Sequence, residues 1–152
     1  EGGTTVTAAL VIDDQVSLAH VGDSRAYLVE DTSIKQLTHD HSLVQRMLDQ
    51  GKLTPDEASI HPRRNVLYQA VGQGERLDVD LHTHSVPAGG KLLLCSDGLW
   101  GMIGDSTLGK IIHDTQHVQN TCERLVQEAN RAGGSDNITA ILVQLGSNPG
   151  DD

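Results

Sequence analysis

Three aspartates lie at the ends of apolar runs and are flanked by Gly, Ser or Asn. Asp23 follows the run 15–21, Asp97 follows the run 91–95, and Asp136 precedes the run 137–143. If these runs are strands, the carboxylates project from the rim of a rigid sheet, where they can converge on a hard cation such as Mg²⁺ or Mn²⁺. An aspartate before Gly or Asn also suits an ordinary turn, and for each residue alone this alternative stays open.

Other chemistries have weaker support. Paired histidines, His39/His41 and His82/His84, would share a face of an extended strand, but no third soft zinc ligand is positioned nearby, so hydrogen-bonded or solvated histidines are favoured. Neither cysteine is followed six residues later by the arginine of a cysteine-dependent phosphatase, and nucleophile-elbow, zinc-protease, dinucleotide and P-loop motifs are absent from the sequence. The adjacent arginines at 63–64 suit either a phosphate group or ordinary loop charge.

The elements that must position these residues follow from hydrophobic periodicity. Strands are grouped rather than alternating with helices, which favours an α+β fold with antiparallel sheets. Runs 4–12 and 15–21 are predicted to pair as a hairpin, with two further strands continuing it as one meander. The remaining predicted strands are 26–29, 34–37, 78–85, 91–95 and 137–143, and the helices are 42–50, a turn or two after Thr54, the segment around 108–112, and 118–129.

Composition restricts the class of protein. With 11 Lys and Arg against 21 Asp and Glu, the 152 residues carry a formal net charge of −10, which argues against nucleic acid or an anionic membrane as the main partner. No apolar run approaches the roughly 18 residues that a membrane-spanning helix needs. Two cysteines are too few for a disulfide framework, so a reducing, cytoplasmic location is expected.

Six ordered motifs carry a resemblance to a known family. They span nearly the whole chain: Gly2-Gly3-Thr4-Thr5, Ala19-His20-Val21-Gly22-Asp23-Ser24-Arg25-Ala26, Leu37-Thr38-His39-Asp40-His41-Ser42, His61-Pro62-Arg63-Arg64-Asn65-Val66-Leu67, Leu93-Leu94-Cys95-Ser96-Asp97-Gly98-Leu99-Trp100, and Gly134-Ser135-Asp136-Asn137-Ile138-Thr139. Together they resemble the type 2C metal-dependent serine/threonine protein phosphatases in their bacterial form.

The resemblance implies a fold, a reaction and a set of site residues. The fold is an α-β-β-α sandwich of two antiparallel sheets flanked by helices. Two Mn²⁺ or Mg²⁺ ions, with a weaker third, activate water for direct attack on phosphoserine or phosphothreonine in proteins. Asp97 and Asp136 match ligands of the binuclear site, and Asp23 matches a ligand of the third ion. The residues that support these ligands are Ser96, Asn137 and Gly98.

The sequence also departs from the family pattern. The family's N-terminal motifs, which supply a phosphate-binding Arg, an acidic residue and a bridging Asp-Gly, are not found, so residues 1–146 are predicted to be the C-terminal portion of the domain and inactive alone. Gly101 stands where many members have an Asp for the third ion, and a glycine there can adopt positive φ. Residues 43–62 match the flap that borders the cleft, and residues 147–152 are expected to form a tail or linker.

The leading hypothesis is therefore a phosphatase domain in signal transduction, whose substrates are phosphorylated by a serine/threonine kinase. No membrane insertion is expected, and the sequence leaves open the oligomeric state and the substrate-binding residues. The alternative is a non-catalytic, phosphatase-like binding or regulatory module. Clustered, mutually repelling carboxylates speak against that alternative, because a binding module has no need of them.

Overall fold

The computed structural model describes residues 2–31 and 33–146, so the predicted tail at 147–152 lies outside the described residues. The described chain forms two antiparallel sheets and five helices. The strands are β1 (Val6–Ile12), β2 (Gln15–Val21), β3 (Arg25–Glu30), β4 (Ser33–Gln36), β5 (Asp80–Ser85), β6 (Lys91–Cys95) and β7 (Ala140–Gln144). The helices are α1 (Leu43–Asp49), α2 (Pro55–Ser59), α3 (Asp97–Trp100), α4 (Asp105–Asp114) and α5 (Val118–Arg131).

The predicted hairpin is confirmed, but the predicted single meander is wrong. Strands β1 and β2 pair antiparallel around a turn in which Asp13 has φ 52°, and β5 completes this sheet in the order β1-β2-β5. After β2 the chain turns at Gly22, with φ +111°, and β3 enters a second sheet of order β4-β3-β6-β7. A Cβ at Gly22 would lie 2.3 Å from the side chain of Thr5, so this turn requires glycine.

Burial on both faces of the second sheet explains why the four N-terminal strands form two sheets rather than one meander. One core cluster joins the two sheets, because Val16 and Leu18 of β2 pack with Leu28 of β3 and Leu92 of β6. A second cluster fills the space between the other face and α3, α4 and α5; its members include Tyr27, Leu93, Leu99, Leu108, Ile112 and Leu125. The two sheets therefore stack as a sandwich with helices outside, which confirms the predicted fold class.

Local capping determines where the short helices begin. The Ser42 side chain accepts a hydrogen bond from the Gln45 N–H at the start of α1, as the sequence predicts. Thr54 and Glu57 form a reciprocal capping box around the start of α2, with Pro55 at its first position. Within the described ranges, no helix combines the length and apolarity needed to cross a bilayer.

Candidate metal centre

Asp97 and Asp136 meet at one end of the second sheet. Strands β6 and β7 are antiparallel neighbours, with Cys95 opposite Ala140, so the residue after β6 and the loop before β7 lie at the same edge. The two loops are joined by Ser96, whose hydroxyl donates to the Asn137 carbonyl at 3.0 Å and accepts from the Thr139 N–H at 3.0 Å. Ser96 thereby fixes the spacing between the two aspartates.

The close contact between these loops also depends on Gly98. A Cβ at this position would lie 2.2 Å from the carbonyl oxygen of Asn137, so any side chain would force the loops apart. Asn137 contributes to the contact through its main-chain carbonyl, and its own N–H donates to a carboxylate oxygen of Asp136 at 2.7 Å. The three residues named as supports thus lie together beside the aspartates.

Asp23 lies close enough to Asp97 for the charge of Asp97 to act on it. Burial, then the negative charges of Asp97 and Asp40, raises the pKa of Asp23 to about 6. Burial and the neighbouring charge of Asp136 likewise raise the pKa of Asp97. A group of carboxylates that destabilise one another's charged form is a donor set suited to a hard divalent cation.

The donor set is nevertheless incomplete. Among residues 2–31 and 33–146, no three His, Cys, Asp or Glu side chains are placed to hold one metal ion together. Asp97 and Asp136 line a common cavity, whereas Asp23 is buried beside it. The oxygen chemistry fits Mn²⁺ or Mg²⁺, but the described residues supply only part of a coordination sphere.

Gly101 offers no carboxylate, and its backbone does not use the positive φ that glycine allows. It has φ −74° and ψ −20°, an ordinary helical conformation rather than a positive φ. A Cβ there would lie 2.6 Å from the carbonyl oxygen of Asp97, at the end of the turn formed by α3. The glycine is therefore required by a close approach to the Asp97 backbone.

An arginine that sequence analysis did not single out connects the site to the core. Arg25 donates from Nε and Nη2 to the carboxylate of Asp40, with a shortest distance of 2.7 Å, and from Nη1 to the Tyr27 hydroxyl at 2.9 Å. Its guanidinium carbon lies 3.5 Å from the ring centroid of Trp100. Trp100 in turn donates its indole N–H to the Asp23 carbonyl at 2.9 Å. The network thus holds the backbone beside a candidate ligand.

His41 is bonded to the turn at Gly22, the residue before Asp23. Its backbone N–H donates to the Gly22 carbonyl at 2.7 Å, and its Nδ1 accepts from the Gly22 N–H at 3.1 Å. Because Nδ1 is an acceptor, the proton is on Nε2, which donates to the Asp80 carboxylate at 3.0 Å. Asp40 and His41 belong to one of the six motifs of the sequence, but nothing in the sequence indicated these partners.

The histidine pairs do not form a zinc site in the described part of the chain. Residues 39–41 are not in a strand, and the His39 ring bonds the Asp49 carboxylate at 2.8 Å instead. His82 and His84 do share β5, with ring centroids 6.3 Å apart, but no third ligand joins either pair there. The structure therefore favours the hydrogen-bonded alternative for His39 and His41.

A cavity of about 330 Å³ opens beside Asp97 and Asp136. Its lining residues come from α1 and α2, within the predicted flap, from α3, and from the loops at 101–102 and 135–136. Arg64 lines the cavity, whereas its neighbour Arg63 does not. The cavity is therefore lined by both anionic and cationic groups, a combination suited to a metal-bound phosphoryl group.

Comparisons with known proteins agree with the fold. The family model described as Protein phosphatase 2C matches residues 1–46. The Protein phosphatase PhpP of Streptococcus pneumoniae is 43% identical over 94% of this chain. The crystal structure of the Mycobacterium tuberculosis serine/threonine phosphatase PstP/Ppp superposes with a TM-score of 0.89, 38% identity and 95% coverage of this chain. The catalytic domain of PstP in complex with two manganese ions gives a TM-score of 0.83 at 35% identity, over 94% of this chain.

The chain spans 58% of the length of PhpP, 60% of the PstP/Ppp chain and 59% of the manganese-bound one. Over that shared part, sequence and fold agree. The chain is thus a homologue of the bacterial serine/threonine phosphatases of the protein phosphatase 2C family.

Proposed function

We propose that the protein to which these 152 residues belong hydrolyses phosphoserine and phosphothreonine in proteins, using two Mn²⁺ or Mg²⁺ ions. The observation that carries this proposal is that Asp97 and Asp136 line one cavity, which Arg64 also lines, in a chain homologous to serine/threonine phosphatases. Divalent ions there would lower the pKa of bound water and neutralise phosphoryl charge.

The chain's own residues have distinct parts in this proposal. Asp97 and Asp136 provide carboxylate ligands, and the Ser96 hydroxyl holds their loops in register. Asp23, whose backbone is held by Trp100, is assigned to a third, weaker ion. Arg64 lines the cavity, where its guanidinium can pair with phosphoryl oxygens.

Because this chain spans only 58% of its PhpP relative, we propose that the 152 residues alone do not form a competent centre. The carboxylates of Asp97 and Asp136 leave most coordination positions of a divalent ion to other ligands. We further propose that the substrates are products of a serine/threonine kinase in signal transduction. A reducing, cytoplasmic setting is supported by the two free cysteines.

The experiment is Mn²⁺-dependent hydrolysis of a phosphothreonine peptide by the full-length protein. Asp97→Ala and Asp136→Ala are each expected to abolish turnover, because each removes a proposed metal ligand. Both should leave the circular dichroism spectrum unchanged, because removing a carboxylate at the edge of the sheet relieves charge repulsion. Asp114→Ala, an exposed aspartate at the end of α4, is the matched control and is expected to retain activity. Unfolding of both site variants would instead assign the two aspartates to structure.

A non-catalytic binding module is the second candidate. It is favoured by one observation, the lack of a complete ligand group in the described part of the chain. The same assay separates the two candidates. A binding module would retain phosphopeptide affinity without Mn²⁺ and show no turnover with it. Robust hydrolysis by the 152-residue chain alone would contradict our account of the incomplete centre.

A further inference from the structure

The cavity beside the candidate metal centre has two kinds of lining. Its charged side chains are Arg25, Asp40, Arg64, Asp97 and Asp136. Its apolar wall is formed by Val44, Leu48, Pro55, Ala58, Trp100 and Met102. Phosphoryl chemistry accounts for the charged residues only. The apolar wall needs another explanation, because exposed apolar surface next to a polar site is a common mark of a binding groove.

Helix α1 leaves its apolar residues available to the cavity. Val44 and Leu48 are four residues apart, so they lie on one face of the helix, and both line the cavity. None of the residues of α1 is buried, although the helix contains Leu43, Val44, Met47 and Leu48. The helix therefore presents an apolar face that the described chain does not cover completely.

Two residues of the apolar wall, Trp100 and Met102, are held rigidly. Both pack against the core cluster between the second sheet and the helices. The Trp100 ring is further restrained by its hydrogen bond to the Asp23 carbonyl and by the Arg25 guanidinium stacked on its face. An apolar group entering the cavity therefore meets a preformed surface on this side, which reduces the ordering cost of binding.

We propose that the apolar wall binds an aliphatic side chain of the phosphoprotein substrate, two residues from the phosphorylated Ser or Thr. This inference rests on the proposed phosphatase function. In an extended peptide, residues two apart point to the same side about 7 Å from each other, so both side chains can enter one cavity. The volume of about 330 Å³ lies within the usual range of ligand cavities.

The activity test uses the full-length protein with Mn²⁺ and phosphothreonine peptides that differ only in having Leu or Ala at positions −2 or +2. Burial of a leucine side chain predicts a kcat/KM roughly 10- to 100-fold higher for the Leu peptide at one of these positions. Leu48→Asn is expected to reduce that ratio to near one. Ile60→Asn, at an exposed isoleucine outside the cavity, is the matched control and is expected to keep both the ratio and the basal activity.

A binding readout that needs no turnover uses Trp100, the single tryptophan of the 152-residue sequence. Titration of this chain with the Leu phosphopeptide is expected to change tryptophan fluorescence saturably. The Ala peptide should do so only at much higher concentration. In the Leu48→Asn variant the two peptides should behave alike, whereas Ile60→Asn should match the parent chain.

The two proposals fail in different ways. Equal kcat/KM for the Leu and Ala peptides, with active protein, overturns the apolar subsite and leaves the phosphatase function in place. No turnover of any peptide, with a Leu-specific fluorescence change, overturns the function and retains the subsite as a peptide-binding groove. If Leu48→Asn lowers the unfolding temperature well beyond Ile60→Asn without altering discrimination, the wall packs against the protein's own chain and the subsite is wrong.

Discussion

Replacing Arg25 by methionine tests the network that joins the candidate site to the core. The Arg25 and Asp40 side chains are only 15% and 4% exposed, and the shortest distance between their charged atoms is 2.7 Å. The substitution keeps most of the apolar volume between Tyr27 and Trp100. It removes every hydrogen bond to Asp40 that Arg25 provides, which leaves a buried carboxylate with Gln36 as its remaining side-chain donor.

The expected loss of stability is large because the Asp40 carboxylate, which then lacks Arg25, is buried. Removing one partner of a buried ion pair costs about 3–5 kcal/mol, against about 1 kcal/mol or less for an exposed pair. For a protein of this size each kcal/mol lowers Tm by about 2–4 °C, so Arg25→Met should lower it by roughly 6–20 °C. Arg46→Met is the matched control, since Arg46 is exposed and its guanidinium lies 4.5 Å from the Tyr68 ring. It should cost about 1 kcal/mol at most.

Urea unfolding, monitored by circular dichroism, measures the loss of stability in Arg25→Met and in Arg46→Met. The double variant Arg25→Met/Asp40→Leu should be less destabilised than the sum of its single variants, because neither charge is then left unpaired. A loss of stability for Arg25→Met no larger than that for Arg46→Met, or single losses at Arg25 and Asp40 that simply add, would contradict this prediction. Either result would mean that water, rather than the partner, solvates these groups.

Three further predictions follow from other parts of the structure. Burial, then a neighbouring histidine, lowers the pKa of His20. The contribution of His20 to stability is therefore present above the unfolded pKa of about 6.5 and is lost as pH falls through the folded pKa. His20→Gln should flatten that part of a stability–pH curve measured by urea unfolding. Gly101→Asp should lower Tm and raise the Mn²⁺ concentration needed for activity, because the Cβ of the new side chain would lie 2.6 Å from the Asp97 carbonyl oxygen. An unchanged Tm with tighter Mn²⁺ binding would contradict this prediction. Amide hydrogen exchange should be faster over 43–62 than over 91–95, since one range holds two short helices and the other a central strand; equal rates would contradict it.

Local features were the most predictable from sequence. The start of α2 could be predicted because a capping box and a proline act within a few residues. The pairing of β1 with β2 followed from two apolar runs separated by a two-residue turn. Three aspartates could be named as ligands because motif order and residue type suggested a hard-cation site, and their placement beside one another is consistent with that interpretation.

The division into two sheets required the tertiary structure. Consecutive strands β2 and β3 show the same apolar pattern whether they pair edge to edge or stack face to face, so periodicity could not distinguish a meander from a sandwich. The reason for glycine at position 101 likewise required the tertiary structure, because sequence alone cannot distinguish a glycine required by a close contact from one required by positive φ.

Sequence by itself determined the strands, the caps and the chemical type of the candidate ligands, since these depend on neighbours along the chain. Only the tertiary structure determined which distant groups meet. The Trp100 indole N–H reaches the Asp23 carbonyl across 77 residues, and His41 bonds Asp80 across 39. The apolar wall likewise combines residues from α1, α2 and the segment 100–102. Contacts of this kind leave no periodic signal, because they arise from the stacking of two sheets and the helices packed on them.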